Sequence, residues 1–329
     1  MNAPATELDA LLPRLGELRG ALAQAVVGQA DVVEQLLIGL LAGGHCLLEG
    51  APGLGKTLLV RSLGQALELQ FRRVQFTPDL MPSDILGTEL LEEDHGTGKR
   101  AFRFQKGPVF TNLLLADELN RTPPKTQAAL LEAMAERTVS YAGTTWELPS
   151  PFFVLATQNP IEQAGTYPLP EAQLDRFLLH VRVGYPSEEE EQDILAQTTG
   201  SGSSKVPKVM DAEAVKTLQA AVRQVHVGPD LLAWITRLVR ASRPGEGAPP
   251  QINHWVKWGA GPRAGQSLVL AAKARALLHG RLAATREDVT ALAAPVMRHR
   301  LLLSFNAEAE QVNADQVVAA LLSAMPYPA

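Results

Sequence analysis

Gly50-Ala51-Pro52-Gly53-Leu54-Gly55-Lys56-Thr57 has the form G-x-x-x-x-G-K-[ST], followed directly by Leu58. Its glycines remove the Cβ atoms that would keep backbone N–H groups from wrapping an oxyanion, so the loop can cradle a chain of phosphates. Lys56 supplies a mobile cation for the β- and γ-phosphates, and the Thr57 hydroxyl is placed to ligate Mg²⁺. The flanks agree with that reading. Gly44-His45-Cys46-Leu47-Leu48-Glu49 is a short apolar run suited to a buried strand, and Leu58-Leu59-Val60-Arg61-Ser62-Leu63 spaces its apolar residues as a helix does. Strand, glycine loop and helix in this order predict a nucleoside-triphosphate site on an α/β fold.

Working outward, Leu113-Leu114-Leu115-Ala116-Asp117-Glu118 is an apolar strand ending in two carboxylates. Such a strand delivers both acids to the carboxyl edge of a parallel sheet, where ligands bind. Asp117 is positioned to hold Mg²⁺, directly or through water, and Glu118 to orient and polarise an attacking water. A second buried strand, within Pro151 to Pro160, ends in the polar amides Gln158-Asn159 and then Pro160. Asn159 either hydrogen-bonds the γ-phosphate or the water, or closes the strand as an Asx turn. Arg176, in Leu174-Asp175-Arg176-Phe177, and Arg263, in Gly261-Pro262-Arg263-Ala264, are planar, permanently charged donors suited to a phosphoryl transition state. An exposed surface arginine is the plainer reading of each.

The 329 residues suffice for two domains, and 46% hydrophobic content is that of an ordinary globular chain. A formal charge of −5 offers no basic field for gripping a phosphate backbone and argues against a nucleic-acid partner. Cys46, the single cysteine, sits in the apolar strand as a small buried hydrophobe, which fits a reducing compartment. No signal pattern and no apolar stretch of spanning length is evident, so a soluble cytoplasmic protein without direct membrane insertion is expected. The seven histidines show no metal-ligand spacing, which leaves Mg²⁺ as the expected metal.

Helical spacing dominates Thr6 to Leu41, and strands then alternate with helices to about Tyr185. Beyond the acidic start Glu188 to Glu191 and the loop Thr199 to Ser204, the apolar spacing is almost entirely helical. These signals divide the chain into an α/β nucleotide domain with a parallel sheet, 1–186, and an all-α domain, 187–329.

Together these segments resemble the AAA+ ATPases, and within them the MoxR family. The likeness rests on Ala116-Asp117-Glu118-Leu119-Asn120-Arg121-Thr122-Pro123-Pro124-Lys125-Thr126-Gln127 and its continuation to Met134. It rests equally on Ala156-Thr157-Gln158-Asn159-Pro160 and on Gly165-Thr166-Tyr167-Pro168 through Phe177. The resemblance implies ATP as the nucleotide and an all-α lid as the second domain. Val26-Val27-Gly28-Gln29 is then the segment near the adenine, Asn159 is sensor 1, and Arg263 is the sensor 2 arginine of the lid. Arg176 becomes the arginine finger acting on a neighbouring subunit's nucleotide, and Arg121 either acts across the interface as well or serves as a helix cap or surface residue. Gly261 stands where the family usually has a serine. The segment 79–107 resembles the insert that interrupts the second helix in this clade. Thr138 to Leu148 reads as a β-hairpin turning at Ala142-Gly143. The aromatics Phe102, Phe104, Tyr141 and Trp146 either meet a client protein or pack within their own hairpins. The family implies a ring, a hexamer, that remodels or activates a protein client, among them proteins with a von Willebrand factor A domain. A helicase-like nucleic-acid motor and a chelatase motor subunit are the alternatives.

Overall fold

In the computed structural model, residues 5–51, 53–93, 100–158, 165–198 and 206–327 are described. Two helices, α1 (Ala5–Ala25) and α2 (Ala30–Leu41), precede strand β1 (Cys46–Gly50), the glycine loop and helix α3 (Lys56–Ala66). Strand β2 (Phe71–Gln75) leads to a single helical turn, α4 (Pro82–Leu86), and an antiparallel hairpin of β3 (Gly87–Glu93) and β4 (Arg100–Lys106). Then come β5 (Leu113–Asp117), α5 (Pro124–Glu136), the hairpin β6 (Thr138–Tyr141) and β7 (Thr144–Glu147), and β8 (Phe153–Gln158). A short turn of helix, α6 (Glu171–Leu174), precedes β9 (Leu179–Val183) and α7 (Glu188–Thr198).

Strands β2, β5, β8, β1 and β9 form a parallel sheet in that spatial order. A parallel sheet covered on both faces needs strands that are apolar throughout. Leu113 to Ala116 and Phe153 to Ala156 accordingly have no exposed surface. One face carries α2, α3 and helices from the end of the chain, and the other carries α5 and the two hairpins.

From Asp211 the chain is largely helical: α8 (Ala212–Gln224), α9 (Pro229–Ala241), α10 (Pro250–Trp255), β10 (Val256–Trp258), α11 (Pro262–Leu278) and α12 (Arg286–Met297). A 3₁₀ turn (Arg298–Arg300), β11 (Leu302–Leu303), α13 (Phe305–Ala309) and α14 (Ala314–Ala324) complete it. On α9, Leu231, Trp234, Ile235, Leu238 and Val239 are buried, the i, i+3, i+4, i+7, i+8 stripe of a helix with one apolar face. Side-chain caps begin α8 (Asp211 to the Ala214 N–H, 3.0 Å) and α14 (Asn313 to the Gln316 N–H, 3.0 Å). Helix α2 is buried on nearly every side because it lies between the sheet and both α8 and α11. Its apolar run therefore reflects a helix wrapped by protein. Among the described residues no helix is long and apolar enough to cross a membrane.

His45, at the entrance to β1, is buried, with Nδ1 accepting from the Val154 N–H at 3.0 Å and Nε2 facing the Met134 carbonyl at 3.2 Å. That pair of contacts requires the neutral ring. Burial chiefly, with Arg137 nearby, pulls its pKa down to about 4, against a hydrogen bond to Met134 that raises it. Because the unfolded ring titrates near 6.5, this residue's contribution is complete above about pH 6.5 and is lost as pH falls toward 4; it amounts to about 3 kcal/mol. Urea midpoints are expected to drop more steeply over that window for the wild type than for His45→Gln. Parallel acid limbs would refute the assignment.

Candidate active site

The glycine loop joins β1 to α3 with Gly53 and Gly55 both in the left-handed region (φ 84° and 72°). A Cβ there would be strained, whereas glycine lets the loop fold back so that α3 starts at Lys56 with its N-terminal N–H groups facing the cavity. Gly50 ends β1, and its carbonyl accepts from Lys56 Nζ at 2.7 Å. Burial lowers the Lys56 pKa, while the charges of Asp117 and Glu118 pull it back up. Gly53, Leu54, Gly55, Lys56, Thr57 and Leu58 line a cavity of about 400 Å³ together with Asp117 and Glu118, and Ala51 lies buried behind the loop. Pro52 lies outside the described residues.

The two carboxylates differ in setting. Asp117 ends β5; its Oδ1 accepts from Thr157 Oγ1 at 2.6 Å and its Oδ2 from Arg73 Nη2 at 2.6 Å. Glu118 leaves the strand in a left-handed conformation (φ 57°, ψ 47°), uncommon for a residue with a side chain and the kind of strain that gathers at functional sites. Its N–H donates to Thr157 Oγ1 at 2.8 Å. Its carboxylate accepts from Gln75 Nε2 at 2.7 Å and pairs with Arg121 Nε at 3.0 Å. Thr157, wholly buried on β8, thus fixes both acids through one hydroxyl.

Three residues escaped the sequence reading. Thr157 is hidden because a threonine inside an apolar strand reads as a β-branched strand former. Arg73 and Gln75 line the cavity from β2. They could have been found as polar residues two apart on one strand, hence on one face.

The cavity fits the expected ligand. Its floor is a left-handed glycine turn at a helix N-terminus, which suits a phosphate chain. Thr57 and Asp117 both line the cavity, and a hydroxyl and a carboxylate are the hard oxygen donors that suit Mg²⁺.

The remaining site residues lie further out. Gln29 Nε2 donates to the Leu54 carbonyl at 2.6 Å and ties the Val27-Gly28-Gln29 segment to the glycine loop. Gly28 is left-handed and close against the Glu190 side chain of α7. Arg176 is exposed, with Nη1 donating to the Leu131 carbonyl at 2.6 Å. Arg263, just inside α11, faces Asp175 at 3.8 Å. Neither arginine lines the cavity of its own chain. Gly261 caps α11 in extended conformation with Pro262 at its first turn, so the missing serine leaves the helix start intact. Asn159 lies outside the described residues.

The hairpins show where the aromatics go. Phe104 stacks on Trp146 (5.3 Å between centroids) and contacts Tyr141 (5.5 Å) and Phe110 (6.0 Å), joining β4 to the β6–β7 hairpin. Phe104, Tyr141 and Trp146 therefore serve packing, and Phe102 alone of the four is strongly exposed, at 71%.

A five-stranded parallel sheet carrying a glycine loop on β1 and an acid pair on β5, followed by a helical region, defines an AAA+ ATPase. Residues 45–179 match the ATPase family associated with various cellular activities (AAA), and residues 252–321 match the AAA lid domain. The chaperone MoxR1 of Mycobacterium tuberculosis is 43% identical over 92% of this chain and 79% of its own. Protein MoxR of Paracoccus denitrificans is 34% identical, covering 96% and 97% respectively. A crystal structure of an ATPase candidate from Cytophaga hutchinsonii superposes with a TM-score of 0.91 at 38% identity, over 98% of both chains. The chain belongs to the MoxR family of AAA+ ATPases, chaperone-like ATP hydrolases.

Proposed function

We propose that the protein assembles into a ring, a hexamer, in which each ATP bound by one protomer is hydrolysed with the help of the next, and that the ring uses this cycle to remodel or activate a protein client. The observation that carries the reading is the division of the charged groups. The glycine loop, Asp117 and Glu118 surround one cavity, while the exposed Arg176 lies outside it. An arginine suited to a phosphoryl transition state but remote from its own cavity has a use in the cavity of a neighbour.

In this reading the loop N–H groups and Lys56 hold the triphosphate, Thr57 and Asp117 hold Mg²⁺, and Val27, Gly28 and Gln29 border the adenine. Bound Mg²⁺ would supply charge neutralisation for the triphosphate. Glu118 accepts the proton of the attacking water, Asn159 contacts the γ-phosphate end as sensor 1, Arg263 serves as the sensor 2 arginine of the lid, and Arg176 stabilises the charge developing in the adjoining protomer. The ring works in the cytoplasm, where Cys46 stays reduced.

The client surface is assigned to the β3–β4 hairpin alone, because the aromatics of β6–β7 are spent on packing. Leu91 and Phe102 face each other across the hairpin and are 55% and 71% exposed. Such an exposed apolar pair is suited to a contact surface. A protein carrying a von Willebrand factor A domain with a metal-ion-dependent adhesion site is the client class that the family suggests.

Leu91→Glu and Phe102→Glu are expected to leave basal ATPase activity within about twofold and to weaken client binding by about tenfold or more, as losing an interface anchor does. The check is co-purification of client proteins with ATP-trapped Glu118→Gln rings, with and without the hairpin substitutions. The helicase-like alternative predicts salt-sensitive stimulation of ATPase activity by DNA or RNA. Stimulation by either polymer at physiological salt would replace the protein-client reading.

A further inference from the structure

Arg300 is a buried arginine far along the chain from the cavity, in the 3₁₀ turn after α12, and its donors converge on one short segment. Nε donates to Asp175 Oδ1 at 2.7 Å, and Nη2 donates to the Phe177 carbonyl at 2.7 Å and the Asp175 carbonyl at 3.3 Å. Nη1 reaches the Leu178 carbonyl at 3.4 Å and also the Val296 carbonyl of α12. Nη2 further contacts Ser267 Oγ at 3.2 Å, one helical turn beyond Arg263 on α11. The neighbours in the turn act on the same stretch: His299 Nε2 lies 3.1 Å from the Phe177 carbonyl, and Arg298 Nη1 donates to the His180 carbonyl at 2.9 Å.

Asp175 divides its carboxylate, Oδ1 to Arg300 and Oδ2 toward Arg263 at 3.8 Å. The residue enclosed by all these bonds is Arg176. A guanidinium is a rigid planar fork, so one arginine can fix several acceptors in a defined relative geometry, which a flexible lysine ammonium cannot.

We propose that Arg300 is a positioning residue for hydrolysis in trans: it clamps the Asp175–Leu178 segment to α11 and α12 so that Arg176 is presented to the next protomer in register with Arg263. The inference rests on the reading of Arg176 as the arginine that acts across the interface. It adds that the presenting segment is held from the helical region of its own chain, so that a shift of α11 carries Arg176 with it.

The decisive variant is Arg300→Lys, which keeps the charge and loses the fork. It is expected to bind ATP within about threefold of wild type, with KM similarly unchanged, and to lose about 10- to 100-fold in kcat, the scale of an ångström-level misplacement of a reacting group. A purely structural role would lower the melting temperature and leave kcat per folded chain alone.

Mixing locates the defect. An Arg300→Lys protomer retains Glu118, so beside a Glu118→Gln protomer it receives an undisturbed Arg176, and turnover returns at those junctions. If Arg300→Lys does not fold, Asp175→Asn, at a partly exposed position, serves in the same assay. Folded Arg300→Lys or Asp175→Asn with wild-type kcat, or a kcat loss that mixing does not restore, would overturn the positioning role. Arg176→Ala with wild-type turnover would instead overturn the reading of Arg176 beneath it. An inactive Arg176→Ala beside fully active Arg300→Lys and Asp175→Asn would leave that reading standing and remove the clamp.

Discussion

Glu118→Gln is expected to bind ATP within about threefold of wild type and to lose turnover by about 10²- to 10⁴-fold, the range a positioned proton acceptor contributes. The physical basis is the separation of two tasks. The phosphate cradle is backbone and Lys56, neither of which the substitution touches, and a carboxamide can still accept the bond from Gln75 that holds the wild-type carboxylate at 2.7 Å. What the amide lacks is the basicity to take a proton from water. Lys56→Ala is the counter-case, since removing the loop's cation should abolish measurable ATP binding and turnover together. Binding by fluorescent-nucleotide titration and turnover by phosphate release distinguish the two. Equal loss of affinity in both variants would remove Glu118 from its role.

Arg176→Ala should give the second large effect: retained ATP binding and turnover reduced by about 10³-fold or more, as for an arginine supplied in trans. Its side chain donates to the Leu131 carbonyl of α5, a contact that a neighbouring nucleotide's charge would outcompete. Being exposed, it carries no core packing, so truncation should cost little stability and the kinetic loss can be read directly. An Arg176→Ala protein with wild-type turnover would contradict the shared site.

Local chemistry explains which parts of this were legible in the sequence. The glycine loop and the β5 acids declare themselves because phosphate cradling and metal ligation demand particular residues at particular spacings, and the strands beside them are apolar on both faces. The parallel sheet was legible, whereas its strand order and register and the left-handed turn at Glu118 depend on packing that no short stretch encodes. Thr157 stands in a stretch that carries the family likeness, but its own role was not legible because it comes from lying across from β5, forty residues away in sequence. Arg300 gave no signal, since its importance comes entirely from folding back on a segment that precedes it by more than a hundred residues. The hairpin aromatics were open to two readings until β4 was seen against β6 and β7, where Phe104 and Trp146 stack.

The central claim, that each active site is completed by a second protomer, is tested most directly by mixing two inactive variants. Arg176→Ala and Glu118→Gln proteins, each nearly silent alone, are combined over a range of ratios and the ATP turnover per chain is measured. Activity should appear on mixing and peak near equal amounts, because only there do intact Glu118 and intact Arg176 meet most often across an interface. A rate that stays at the sum of the two parents at every ratio, with assembly verified by mass, would contradict the account.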